Sequence, residues 1–467
     1  MKLFISFDDN NSIFSRTMKL FSFTKDHSYI LKIALPAIAG SSTQMIVSLV
    51  DTAMVGRLPD PEYYLAAMGL GVLATYAVVS FFSSLATGTH VLIARRYGEK
   101  DYTGCGKVLN TSLLLSFVIG VVLSFLVVYF SYDIADFFAA DKKVGFYAGE
   151  FLHYRFMGIP FFLLTVSYRG FYFGIGKTKI FMYSGVLINF LNIVFNYCLI
   201  YGAFGIKGMG LAGAGLGSTL ATICDALFYF SISLLPVYRK KYNYFKTSGF
   251  VKNIAEKIIK ISLPVSLQNI FILVGFLSFI AITGLIGTKE QAASNIVFSA
   301  LLISLMPCFG FGIAVQTLVG NSLGSGNYKQ AKHYGLETSR LATIYTLCAG
   351  IIFFFVPRAV LILTTNDHNV IETAVPAMRI AGLGQIFYSI GVVLANGLQA
   401  AGKTLYVMIA EVIANWFLFV PISYFLGVYL NFGLTGAWSA LPFYVVVYAV
   451  IIFVKFQFGN WEKYKKV

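Results

Sequence analysis

Between Val412 and Val454 the chain carries no charged residue, and the same holds for 180–206, 261–288 and 291–328. A helix needs roughly 20 apolar residues to cross a bilayer. Inside a bilayer every backbone N–H and C=O must be satisfied within the chain, so only helices and closed barrels span it. These runs far exceed the ~9–11 residues of a membrane strand, so they predict helices. Twelve spans follow, near 29–53, 63–94, 108–132, 147–173, 179–202, 209–238, 255–285, 291–322, 335–358, 373–400, 404–427 and 433–455. Only 12% of the 467 residues are charged and 58% are hydrophobic, against about 25% charged in soluble proteins.

The spans fall into two copies of one pattern. Tyr97-Gly98-Glu99-Lys100-Asp101-Tyr102 recurs as Leu323-Gly324-Ser325-Gly326-Asn327-Tyr328, at an offset of 226. Gly174-Ile175-Gly176-Lys177-Thr178 recurs at the same offset as Ala400-Ala401-Gly402-Lys403-Thr404, and Asn189 falls on Asn415. Leu35-Pro36 maps to Leu263-Pro264 at 228, and Gly213-Ala214 to Gly436-Ala437 at 223. Two copies with an even number of spans each run in the same direction, related by an axis along the membrane normal. The expected fold is an all-α polytopic membrane protein with twelve transmembrane helices in two parallel six-helix lobes around a central cavity. The expected division is a tail over 1–28, lobes over 29–238 and 258–455, a basic linker over 239–257, and a tail over 456–467.

The net charge of +15 does not point to nucleic acid, because Lys and Arg sit in short loops between apolar runs. One side receives the N-terminal tail, the 95–107 loop, Lys177, Lys179, the 239–257 linker, Lys329, Lys332, Lys403 and the C-terminal tail. The other receives Arg57, Lys142, Lys143, Lys207, Lys289 and Arg358. The basic side of a membrane protein faces the cytoplasm, so both termini are expected there, in a plasma (inner) membrane protein without a signal peptide. The five cysteines are scattered among apolar runs and show no disulfide or metal spacing. No nucleotide-binding loop, Ser/His/Asp arrangement or histidine cluster is present, so neither ATP coupling nor an enzyme is expected.

An acid within a span costs roughly 2.5–3.5 kcal/mol on insertion scales, which singles out Asp51, Asp225 and Glu411. Asp51 ends the uncharged run 33–50. Gln44 lies two helical turns before it on the same face, and Pro36 is placed to kink the helix. Asp51 is either a cation site or a solvated span end near Arg57. Asn189, Asn192 and Asn196 form one stripe in the fifth span, serving either as cation ligands with Asp51 or as interhelical hydrogen bonds. Asp225 and Glu411 are each either proton sites or structural partners of Arg169, Arg155 or the backbone. The glycine-rich 208–219 stretch opens a span, so its small residues point to close helix approach, with the Ser218 and Thr219 hydroxyls available as further ligands.

Taken together, Leu35-Pro36, Val50-Asp51-Thr52-Ala53-Met54-Val55-Gly56, Val319-Gly320-Asn321-Ser322-Leu323-Gly324-Ser325-Gly326-Asn327 and Gly397-Leu398-Gln399-Ala400-Ala401-Gly402-Lys403-Thr404 resemble the multidrug and toxic compound extrusion (MATE) transporters. The likeness runs from about residue 29 to 455 and is nearest to the branch with its cation site in the N-terminal half. It implies H+- or Na+-driven antiport of small drug-like, often cationic, compounds by alternating access, with no cofactor, no nucleic-acid partner and a monomeric carrier in the lipid bilayer. On these residues it implies cation binding by Asp51, Asn192 and Ser218, with Gln44, Pro36 and Asn189 as cavity or hinge residues. The usual acid four residues after Asn192 is here Asn196, which leaves Asp51 as the only carboxylate. A flippase for a lipid-linked saccharide is the competing reading; a major-facilitator carrier fits less well, since the basic loop of that fold is only loosely echoed by Arg95-Arg96-Tyr97-Gly98-Glu99-Lys100.

Overall fold

The computed structural model of the chain describes residues 24–203, 205, 207–245 and 250–462, with the side chains of Gln44, Met45 and Ile46 outside that description. The expected N-terminal tail therefore lies largely outside the described residues, as do the last five residues of the C-terminal one. In chain order the helices are α1 (Lys25–Val55), α2 (Pro61–Ser83), α3 (Leu85–Gly98), α4 (Tyr102–Tyr129), α5 (Ser131–Phe138), α6 (Lys142–Phe156), α7 (Ile159–Gly174), α8 (Thr178–Tyr201), α9 (Leu211–Leu234) and α10 (Pro236–Tyr242). After these come α11 (Lys252–Ile286), α12 (Thr288–Gly324), α13 (Tyr328–Phe355), α14 (Pro357–Ile362), α15 (His368–Ala400), α16 (Thr404–Tyr429) and α17 (Gly433–Phe458). The described residues contain no strand.

Eleven crossings are long and apolar enough to span a membrane, α2 and α3 counting as one. The twelfth, expected over 147–173, is divided into α6 and α7, of 15 and 16 residues. Pro160 is the reason for the break: it has no N–H and its ring crowds the carbonyl four residues back. That carbonyl belongs to Phe156, and it accepts instead from Ser124 Oγ at 2.8 Å. The corresponding stretch of the second half has Ile386 in place of the proline, and α15 runs unbroken.

The duplication extends to local devices. Asp101 and Asn327 cap α4 and α13, and Asp141 and Asp367 cap α6 and α15, each side chain accepting from backbone N–H groups of the first turn. Such caps contribute about 0.5–2 kcal/mol each. Gly176 and Gly402 turn the chain before α8 and α16 at φ of 71° and 77°, a region that only glycine enters without strain. The short helices α5 and α14 also occupy equivalent places.

Two hydrophobic cores result. One gathers side chains from Val55 to Ile261; the other runs from Phe279 to Trp461 and takes in Ile30, Ile33 and Ala34. The exchange is reciprocal: the start of α1 packs into the second core and the start of α11 into the first. At the end carrying these starts the halves meet about a two-fold axis. A Cβ on Gly98 would overlap the Asn321 carbonyl, one on Gly324 would overlap the Arg95 carbonyl, and Ala94 touches its own repeat mate Gly320. Residues 95 and 321, 98 and 324, and 94 and 320 are all pairs at the 226 offset, as the parallel arrangement requires.

Polar bonds between the lobes run from mid-helix to this same end. Asn269 Nδ2 donates to the Ser80 carbonyl at 3.0 Å, His90 Nε2 meets Thr317 Oγ1 at 2.8 Å, and Arg95 donates through Nε and Nη2 to the Ala400 carbonyl at 3.1 and 3.0 Å. At the rim, His27 Nε2 bonds Glu337 at 2.7 Å and His333 bonds Asp26 at 3.0 Å. The lobes are thus fastened at the end that carries the start of α1 and the 99–101 and 325–327 turns.

Candidate functional site

Close helix approach builds the site. A Cβ on Gly40 of α1 would overlap the Phe181 ring of α8, and one on Gly185 of α8 would press on the Gly40 carbonyl and Thr43 Oγ1. Farther along α8, a Cβ on Gly217 of α9 would overlap Asn196 Oδ1. The glycine-rich opening of α9 therefore acts as its composition suggested, letting α8 lie against α9 with its amides pointed inward.

Four of the anticipated residues join in one chain of hydrogen bonds. Asn196 Nδ2 donates to Asp51 Oδ1 at 2.8 Å and to Asn192 Oδ1 at 3.2 Å, and Asn192 Nδ2 donates to Ser218 Oγ at 3.0 Å. Asn192 and Asn196 are buried while Asp51 is partly open. Asn196 Oδ1 is buried and has no partner. Asp51 and Ser218, both partly open, thus end a row whose two inner amides are buried, and Asp51 is its one member able to ionise. Arg155, at the end of α6, acts on Asp51 electrostatically without a direct ion pair among the described residues. The sequence set Arg155 against Asp225 and Glu411 and not against Asp51.

The remaining candidates separate. Pro36 sits within an unbroken α1, as Pro264 does in α11. The Gln44 side chain lies outside the described residues. Asn189, itself half-buried, stays out of the row, its buried Nδ2 without a partner. Asp225 is buried on α9, accepting from Ser184 Oγ at 2.5 Å and from Arg169 Nη2 at 3.3 Å. Glu411 is buried in the other lobe against Tyr444. The Asp225–Arg169 pair gives a stability prediction. Arg169→Met strands a carboxylate that is 1% exposed, and breaking a buried pair costs about 3–5 kcal/mol. Thermal unfolding in detergent is expected at clearly lower temperature for Arg169→Met than for wild type; an unchanged unfolding temperature would contradict the pairing.

The MatE family model matches residues 36–198 and 264–425, one stretch in each half. The chain is 27% identical over 437 residues to the probable multidrug resistance protein NorM of Thermotoga maritima, covering 93% of each. It is 23% identical over 440 residues to the probable multidrug resistance protein YoeA of Bacillus subtilis, covering 92% of this chain and 93% of that one. Among solved structures, the outward-facing conformation of a multidrug resistance MATE family transporter of the MOP superfamily superposes with a TM-score of 0.84 at 22% identity, over 94% of this chain and 97% of that one. A MOP superfamily transporter from Pyrococcus furiosus, described as having a binding pocket of reverse polarity, gives 0.83 at 21% identity, over 96% of this chain and 98% of that one.

Proposed function

Because the chain belongs to the MatE family, a family of membrane transporters, we propose that it exports small drug-like, often cationic, compounds across the plasma (inner) membrane in exchange for protons. The observation that carries this reading is the row Ser218–Asn192–Asn196–Asp51, with its single carboxylate at one partly open end. Hard metal cations draw on several oxygen ligands at once. Here the Asn192 and Ser218 oxygens each already accept one hydrogen bond, and Asn196 Oδ1 is the one oxygen of the three neutral side chains with no partner. That supply suits a proton better than sodium.

The fastened end carries the basic loops, so the positive-inside rule assigns it to the cytoplasm. The lobes are then closed inward, and the cavity between them opens outward. In this state Asp51 takes a proton from outside, the polar row rearranges, α1 bends where Pro36 leaves the Lys32 carbonyl without its helical donor, and the drug leaves. The lobes rock, the proton passes to the cytoplasm and new drug binds. Such coupling requires that each ligand disfavour the other by the same free energy.

The test is ethidium efflux from vesicles carrying the purified protein, with a pH gradient or a sodium gradient imposed separately. Efflux under the pH gradient alone is expected. Efflux under sodium alone would replace the ion. No efflux under either, together with translocation of a lipid-linked saccharide, would replace the function by that of a flippase.

A further inference from the structure

Glu411 is the buried acid that the mechanism above does not use. It sits in α16 at 2% exposure, and its repeat mate in the first half is Gly185, so it is no relic of the duplication. Among the described residues it has no ion-pair partner. Its neighbours are neutral: Tyr444 of α17 donates its hydroxyl to Glu411 Oε1, and Tyr448, Gln268 of α11 and Asn415 stand within reach of the same carboxyl. Gln268 Oε1 in turn accepts from Gln399 Nε2 at 3.4 Å.

Asn415 is the second observation. It lies one turn beyond Glu411 on the same helix face, is fully buried, and both its Oδ1 and Nδ2 lack partners. Gly275 of α11 comes so close that a Cβ there would overlap Asn415 Oδ1. An orphaned buried amide is costly. The Asn415 amide stands beside the Glu411 carboxyl. Turned one way an amide donates N–H to an ionised carboxylate, and turned over it accepts the O–H of a protonated one. The helix becomes a π-helix at this point, over Asn415–Phe419, a distortion frequent at functional sites. Tyr388 of α15 lies within electrostatic range of both Glu411 and Tyr76 of the first lobe. Tyr76 is 56% exposed. The titratable groups around the acid are Tyr444 and Tyr448 from α17, Tyr388 from α15, and Cys308 of α12 beyond Tyr388.

We propose that Glu411 is a second proton-binding site, in the C-terminal lobe, which holds its proton against Asn415 and exchanges it with the interlobe cavity as the lobe repacks. Each exchange adds or removes one proton at a carboxyl oxygen and changes no other covalent bond. Sodium fits less well than a proton, because Tyr444 turns its hydroxyl hydrogen to the carboxyl and Asn415 Oδ1 is the one unpartnered amide oxygen beside it. The proposal rests on the proton-coupled reading but not on Asp51, and its test needs no transport.

The experiment is difference infrared spectroscopy of purified Asp51→Asn protein against Asp51→Asn/Glu411→Gln, across pH and with or without ethidium. The expected result is a protonated-carboxyl C=O band that weakens at alkaline pH, moves on ethidium addition and is lost with Glu411→Gln. A band equal in both proteins, or one indifferent to both pH and ethidium, overturns the proposal and leaves Glu411 a fixed structural acid. If Glu411→Gln does not fold, Tyr444→Phe in the Asp51→Asn background keeps the carboxyl and is expected to move the band by removing its hydroxyl donor; an unmoved band overturns the assignment. A pH- and ethidium-responsive Glu411 band alongside absent vesicle efflux would sink the efflux reading and spare this one.

Discussion

Asp51→Asn protein is expected to fold, to bind ethidium, and to lose gradient-driven efflux. The substitution preserves shape and leaves an oxygen to accept from Asn196 Nδ2, so the row that ties α1 to α8 and α9 survives. What disappears is the only group in that row able to change charge, since an amide takes up no proton near neutral pH. A coupling free energy of ~1–3 kcal/mol corresponds to roughly 5–150-fold, and efflux under a pH gradient is expected to fall by a factor in that range, toward the level of empty vesicles. Asn196→Ala is expected to give a smaller loss, because Asp51 keeps its charge but no longer has its buried donor. Efflux by Asp51→Asn within a factor of about two of wild type would remove Asp51 from the coupling step.

Much of this architecture could be read from the chain because a bilayer imposes one-dimensional rules. Charge-free runs gave the spans, and the 226 offset gave the parallel halves, whose mates Ala94 and Gly320 meet on the axis. Within the site, Asn192 and Asn196 were legible from their spacing of four, and Asp51 from its place at the end of an uncharged run. Ser218 was indicated only by its glycine-rich neighbours and by family likeness. The rest depends on partners that carry no sequence signature. A backbone carbonyl accepts Arg95 at Ala400, and nothing about an alanine announces that. Asn189 looked like part of the amide stripe, yet it stays outside the row. The split of the fourth span, expected whole over 147–173, turns on Pro160 with Ser124 capping the freed carbonyl, which is a tertiary arrangement. Asp225 left two readings open on the sequence, and its proximity to Arg169 is the fact that favours the structural one.

Gly98→Ala and Gly324→Ala are expected to push the resting protein out of the state described here. At each position the new Cβ meets a backbone carbonyl of the opposite lobe, Asn321 for one and Arg95 for the other, and a backbone atom cannot swing aside as a side chain does. Overpacking of this kind costs about 1–3 kcal/mol per site. Both glycines end helices, α3 and α12, and neither has a positive φ, so alanine suits the local backbone. Any gain in helix propensity applies equally in both conformations and cancels. The penalty therefore falls on closure of this end alone. Two sites together amount to roughly 2–6 kcal/mol, and about 5.5 kcal/mol carries a two-state equilibrium from 1:99 to 99:1. Spin labels at Arg57→Cys and Lys289→Cys, beyond the opposite ends of α1 and α11, in a background without the native cysteines, are expected to move closer in the double variant as that side shuts. Ethidium efflux is expected to fall with them, because a carrier held in one state completes no cycle. An unchanged label distance with normal efflux would show that the contact about the two-fold axis does not hold the gate.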